Sequence, residues 1–129
     1  MNTYQKNYAA AKAAYEAAKE ALNEAEAAFV RDNVPDEQRS QVTYLYMIED
    51  DELFDRLCGQ FESQHADLIE TKLQAEKQLS EAENALIHWG LSIVPDEIRK
   101  VLEPKMNVLK YRQKVIDLSF KVDPKTCPG

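Results

Sequence analysis

The residues Val-Pro-Asp-Glu occur twice in this chain, at positions 34–37 and 94–97, and an arginine follows each copy two residues later. The segments just upstream are also alike, since residues 23–30 resemble residues 80–87. A long helical stretch followed by a loop and a new helix start is typical of a helical hairpin, and its recurrence indicates a duplication. We therefore predict two pseudo-repeated hairpins, at about residues 3–58 and about residues 60–122.

The composition favours helices throughout. The 129 residues include only three glycines, and Ala, Glu, Lys, Leu and Gln dominate both the first thirty residues and the middle of the chain. We predict an all-α fold with one helical domain over residues 1–123 and a flexible tail at 124–129. The hairpins could close into a four-helix bundle or stay extended as an elongated, coiled-coil-like assembly.

Apolar residues in the first predicted helix recur at alternating spacings of four and three residues, which is the heptad pattern of a packed helix. This seam consists of Tyr4, Tyr8, Ala11, Tyr15, Ala18, Leu22, Ala25 and Phe29. Thr3 is the predicted N-cap, and the helix is expected to end at about Val30. The same register recurs in the third predicted helix, from Phe61 to Leu86, with His65 and Lys72 as polar departures.

The repeated motif predicts two helix starts. Proline suits the first helical position, and the Asp and Glu that follow suit the positive end of the helix dipole. A second helix is expected to begin at Pro35, and Gly59 is the predicted terminator of this region. The acidic run at residues 49–52 either interrupts the helix or starts a new turn. The residues of this helix predicted to face partly inward are Val42, Leu45, Tyr46, Met47 and Ile48.

The last helix is predicted to begin at Pro95 and to be kinked or broken near Pro104, because an internal proline removes a backbone hydrogen bond. Ile98, Val101 and Leu102 are expected to face inward ahead of that point. A broad apolar face should follow it. Its residues are Val108, Leu109, Tyr111, Val115, Ile116 and Phe120.

No pattern in the chain is typical of catalysis, because it has neither a glycine-rich phosphate loop nor a nucleophile elbow. We predict no enzyme activity and no cofactor. Glu62 and His65 have the spacing of metal ligands on one helix face, but a second such pair is missing from the sequence.

The two cysteines are far apart, so we expect free thiols in a reducing compartment. With no leader-like start and no apolar run long enough to span a bilayer, we expect a soluble cytoplasmic protein.

Charge is distributed unevenly along the chain, whose net charge is −7. Residues 1–97 hold 20 acidic and 8 basic side chains, whereas residues 98–129 hold 3 and 8. The basic end could offset the acidic helices of the same molecule, or Lys105, Lys110, Arg112 and Lys114 could contact nucleic acid, although the acidic chain as a whole argues against direct binding. The predicted partner-binding residues are Glu49, Asp50, Asp51, Glu52, Asp55, Glu62 and Trp89. The alternative role for Trp89, placed in the second loop, is a lid over the helical core.

In size, charge and fold class the chain resembles phage-encoded inhibitors of host defence nucleases, including anti-CRISPR proteins and DNA mimics. The resemblance implies a non-catalytic protein in the host cytoplasm that occupies a basic, nucleic-acid-binding surface of a partner protein. Two alternatives stay open. One is an assembly adaptor that forms a homodimer through a heptad seam, and the other is a helical-bundle metal protein.

Overall fold

The computed structural model describes residues 2–35, 37 and 41–121, and over this part of the chain the protein has helices and no strands. The α-helices are α1 (Thr3–Asn33), α2 (Asp51–Gln64), α3 (Ala66–Ile93), α4 (Asp96–Leu102) and α5 (Leu109–Ser119). Two short 3-10 turns cover Leu45–Met47 and Glu103–Lys105. The all-α prediction is confirmed. Among the helices described, none combines the length and the hydropathy that crossing a bilayer requires.

The chain divides into two compact units. Unit 1 contains Met1–Ala14 and Glu76–Gly129, and unit 2 contains Tyr15–Ala75. The boundary passes through α1 and α3, so each of these helices contributes residues to both units. This division differs from the two hairpins predicted from the repeat, and the duplication itself stays a prediction.

Unit 1 has an aromatic and aliphatic core. Trp89 stacks on Tyr4 with ring centroids 6.0 Å apart, and Tyr8 approaches Phe120 at the same distance. The buried members of this core are Tyr8, Leu86, Ile87, Trp89, Leu91, Leu102, Val115 and Ile116. Gly90 allows α3 and α5 to approach closely, because a Cβ atom there would lie 2.9 Å from Val115 Cγ1.

The first turn of α1 is capped by Asn2 and not by Thr3, which corrects the predicted N-cap. The Gln5 backbone N–H donates to Asn2 Oδ1 and the Asn2 backbone N–H donates to Gln5 Oε1, each at 2.9 Å. This reciprocal pair is a capping box with amide side chains at both positions. Gln5 Nε2 also donates to the Ser119 carbonyl at 2.7 Å. The buried Gln5 side chain therefore ties the start of α1 to the end of α5.

Unit 2 has a separate core between α1, α2 and the segment before α2. Phe29 and Phe61 pack edge to face with ring centroids 5.4 Å apart, an arrangement favoured by the aromatic quadrupole. The buried members are Phe29, Val30, Val34, Val42, Leu45, Ile48, Leu57 and Phe61. Of the eight predicted seam residues of α1, Tyr8, Ala18 and Phe29 are buried, whereas Tyr4 is 37% exposed.

Helices α2 and α3 meet at His65. Its φ of −125° and ψ of 32° depart from helical values, and α3 begins at the next residue. The predicted stop at Gly59 is wrong, because α2 continues through this glycine to Gln64. Phe61 accordingly belongs to α2, and not to the third helix as predicted. The backbone hydrogen bonds from His65 N–H to Phe61 O and from Ile69 N–H to His65 O keep the two helices nearly continuous.

The predicted second helix from Pro35 is only partly testable, since Asp36 and residues 38–40, including Arg39, lie outside the described residues. Where the structure describes the segment, a 3-10 turn at Leu45–Met47 precedes α2, which begins at Asp51. A new helix therefore starts at the acidic run, which is one of the two predicted alternatives. Val42, Leu45 and Ile48 are buried at a spacing of three residues. The inward placement of the other two is wrong, since Tyr46 is 77% exposed and Met47 is 39% exposed.

The second copy of the motif lies at the start of α4. Pro95 is the residue before the helix, and Asp96 and Glu97 occupy its first turn, one position away from the prediction. Helix α4 ends at Leu102, the 3-10 turn containing Pro104 follows, and α5 begins at Leu109. Bending of one helix axis at Pro104 stays a prediction.

The predicted inward faces of the last segment are only partly right. Leu102, Val115 and Ile116 are buried, as expected. The residues that are exposed instead are Ile98, Val101, Val108, Leu109 and Phe120. The predicted tail at 124–129 lies outside the described residues.

Candidate protein-binding surface

The acidic run at residues 49–52 forms the start of α2. Asp50 is the N-cap, and its Oδ1 accepts a hydrogen bond from the Leu53 backbone N–H at 3.1 Å. Asp51 and Glu52 occupy the first turn, where the positive end of the helix dipole favours carboxylates. All four side chains are exposed. Part of this negative charge therefore stabilises the helix start, and the whole run also faces solvent.

Two further predicted residues, Asp55 and Glu62, lie later on α2, where both are exposed. They lie near Cys58, together with Glu26 from α1. Partial burial is the largest cause that raises the pKa of the Cys58 thiol, and the negative charges of Glu62, Glu26 and Asp55 raise this pKa further. Sequence reasoning missed Glu26, because its proximity to α2 depends on how two helices pack and no spacing along the chain encodes it.

We call Glu49, Asp50, Asp51, Glu52, Asp55 and Glu62 the acidic surface. None of the six forms an ion pair with another residue in the described part of the chain. Glu49 and Asp50 also line a cleft of about 370 Å³ with Gln41, Val42 and Met47. Exposed carboxylates without cationic partners are available to a basic surface of another molecule.

Charge follows the division into units. In the sequence, residues 15–75 contain 15 Asp or Glu and 5 Lys or Arg, a balance of −10. The rest of the chain contains 8 and 11, a balance of +3, and the two values sum to the net charge of −7. The acidic character predicted for residues 1–97 is therefore concentrated in unit 2.

Trp89 belongs to unit 1 and lies within α3, which corrects its predicted placement in a loop. Its side chain is buried at 6% exposure in the unit 1 core. The ring offers little surface to a partner, and the binding role predicted for it stays a prediction. A Trp89→Ala variant separates the two roles, because a lid predicts a large fall in melting temperature with partner binding retained in the folded fraction.

The basic segment near the C-terminus is tied to α3 by Arg112. Its guanidinium lies 3.0 Å from Glu83, donates to Asn84 Oδ1 at 2.6 Å and donates to the Met106 carbonyl at 3.1 Å. Lys105 and Lys110, two of the three lysines proposed for nucleic-acid contact, lie over the ring of Tyr111. One basic residue thus offsets an acidic residue of the same unit.

The structure does not assemble metal ligands around His65. Its ring contacts Phe61, with centroids 4.8 Å apart. Residues 2–35, 37 and 41–121 contain no group of three or more His, Cys, Asp or Glu side chains arranged to hold a metal ion. The metal-protein alternative has no donor set in this part of the chain.

Known proteins add no further constraint. The chain matches no protein-family model, no curated protein and no solved structure. Charge, exposure and packing in this molecule are therefore the grounds on which its function is inferred.

Proposed function

We propose that this protein is a non-catalytic binding protein that places the acidic surface of unit 2 against a basic surface of a partner protein. The observation that carries the proposal is the balance of −10 in residues 15–75, together with the exposure of the six carboxylates and their lack of ion pairs among the described residues. A basic surface of this kind ordinarily holds nucleic acid, whose phosphates attract Lys and Arg. Occupation of that surface would make the protein an inhibitor of the anti-defence, anti-CRISPR or DNA-mimic type.

The adaptor alternative depends on a free heptad seam. Three of the eight seam residues, Tyr8, Ala18 and Phe29, are buried in the chain itself, whereas Tyr4 is 37% exposed and the other four are half-buried. Because part of the seam is already buried in the chain itself, we do not propose pairing through it as the function.

A charge-reversal experiment tests the proposal. The site variant carries Glu49→Lys, Asp55→Lys and Glu62→Lys, which spares the N-cap Asp50. The control variant carries Glu81→Lys, Glu97→Lys and Glu103→Lys in unit 1, so that both variants undergo the same change in net charge. Partners are captured from cell extract at about 50 mM and about 500 mM salt, because screening weakens contacts between exposed charges.

We expect wild type and the control to retain a basic partner at low salt, and the site variant to lose it. Duplex DNA or RNA added as a competitor should release the same partner from wild type. Equal retention by both variants, or capture that is indifferent to salt and nucleic acid, would refute the proposal.

A further inference from the structure

A groove on unit 2, separate from the acidic surface, combines carboxylates with an aromatic ring. It has a volume of about 430 Å³ and lies between α1 and the segment that carries Tyr44. Glu16, Glu20 and Glu24 line one side, and Tyr44 lines it from before the 3-10 turn. We call this the α1 groove.

The carboxylates of the α1 groove are regularly spaced. Because they are four residues apart on one helix, successive side chains lie about 6 Å apart along the axis. All three are exposed, and none forms an ion pair within the described part of the chain. Like charges at this spacing repel one another and destabilise the helix slightly, and a bound cationic ligand would relieve this repulsion.

Tyr44 gives the groove a feature that a row of carboxylates lacks. Its backbone is extended, with φ −125° and ψ 157°, and its half-buried ring stacks on Tyr46 with centroids 6.1 Å apart and planes 8° apart. Tyr46 is 77% exposed, so the outer residue of this aromatic pair faces solvent. A guanidinium group stacks on such a ring and also donates paired hydrogen bonds to a carboxylate, whereas an ammonium group does so less well.

We infer that the α1 groove holds an arginine-bearing segment of the partner protein, with guanidinium groups against the Tyr44 ring and on Glu20 and Glu24. This inference rests on the proposed function, and it names a contact outside the acidic surface. Charge complementarity selects a basic occupant, and the aromatic ring selects arginine over lysine. Lys19, which also lines the groove, opposes binding.

The probe is a fluorescein-labelled octa-arginine peptide, with octa-lysine as the comparison, titrated against the full-length protein and followed by fluorescence anisotropy. Tyr44→Leu should weaken octa-arginine binding by about twofold to fivefold, the size of an exposed cation–π contact. Glu20→Gln with Glu24→Gln should weaken it by about fivefold. Tyr44→Phe keeps the ring and should bind like wild type, and Lys19→Gln should bind more tightly.

The matched control is Glu81→Gln with Glu97→Gln, which removes the same charge from exposed positions of unit 1 and should change octa-arginine binding less than about twofold. Circular dichroism confirms that each variant is folded. Equal losses of octa-arginine affinity in the two double variants, or equal affinity for the two peptides, would refute the proposed arginine site in the α1 groove. Neither result would contradict the proposed function. If wild type binds neither peptide at low salt, the proposed function fails along with the groove.

Discussion

At the scale of single residues, Asp50 belongs to the acidic surface and also caps α2 through the Leu53 backbone N–H. Asp50→Ala should lower the free energy of unfolding by about 1 kcal/mol, because it removes the acceptor for that N–H. Asp50→Ser should retain most of the stability, since serine is also a good N-cap residue. Chemical denaturation measures both. Glu49→Ala, which removes an adjacent charge but no cap, should change stability by less than about 0.5 kcal/mol.

Cys58 reports on the negative field around α2. Because burial and then Glu62, Glu26 and Asp55 raise its thiol pKa, the folded protein holds less thiolate than the unfolded chain at any alkaline pH. In a Cys127→Ser background, iodoacetamide should alkylate Cys58 more slowly in the folded state than in denaturant. Glu62→Gln should accelerate the reaction of the folded protein, and an unchanged rate would contradict the electrostatic contribution of that carboxylate.

The same raised pKa links folding to pH. Below the unfolded pKa the thiol is protonated in both states, and its contribution to stability is fully present. As pH rises beyond that value, the unfolded chain loses the proton first, so this contribution declines towards the folded pKa. Comparing the alkaline unfolding profile with that of Cys58→Ala isolates the effect.

At the scale of helices, two glycines offer a matched pair. Gly59 lies inside α2, where a Cβ atom would have no neighbouring atom within 4 Å, whereas Gly90 lies inside α3 against Val115. Gly59→Ala should stabilise the protein by about 0.5–1 kcal/mol, the helix-propensity difference. Gly90→Ala gains the same propensity but forces a steric contact, and we expect a net loss of about 1 kcal/mol. Thermal denaturation measures whether each substitution stabilises or destabilises the protein. Stabilisation by Gly90→Ala would show that Val115 moves without an energetic cost.

Helix existence was predictable because the apolar period and the scarcity of glycine both favour helices, and those signals are local. Gly59 misled the prediction because a glycine costs a helix interior only about 1 kcal/mol, which packing of Leu57 and Phe61 offsets. Val42, Leu45 and Ile48 suggested an α-helical face, although a spacing of three also fits the observed 3-10 turn. The proximity of Glu26 to Cys58 and the presence of Tyr44 and Glu20 in one groove were not predictable, since both depend on the packing of distant segments.

At the scale of the whole molecule, the balance of −10 in unit 2 implies self-repulsion that salt should relieve. Raising sodium chloride from about 20 mM to about 500 mM should raise the melting temperature by several degrees, because the Debye length then shortens from about 20 Å to about 4 Å and screens the repulsion. The triple variant Glu16→Gln, Glu20→Gln, Glu24→Gln should respond less to salt. A salt response equal to that of wild type would show that the α1 row contributes little repulsion.

The acidic surface itself was identified from the sequence because consecutive carboxylates at residues 49–52 are visible without any tertiary information. These carboxylates are exposed, as binding through them requires, whereas Trp89 is a core residue of unit 1. Binding by either stays a prediction. A large aromatic residue in a helical protein is more often buried than presented. The neighbours of Trp89, His88 and Gly90, do not by themselves distinguish a buried ring from an exposed one.

The single non-helical residue between α2 and α3 limits how this protein can change in length. Each added helical residue turns all that follows by about 100°, so an insertion at His65 would rotate the start of α3 away from the face that places Ile69 against the unit 2 core. Substitutions on the exposed faces do not change this rotational position of α3. Descendants of this chain are therefore expected to vary in surface chemistry while keeping the same number of residues between Phe61 and Ile69.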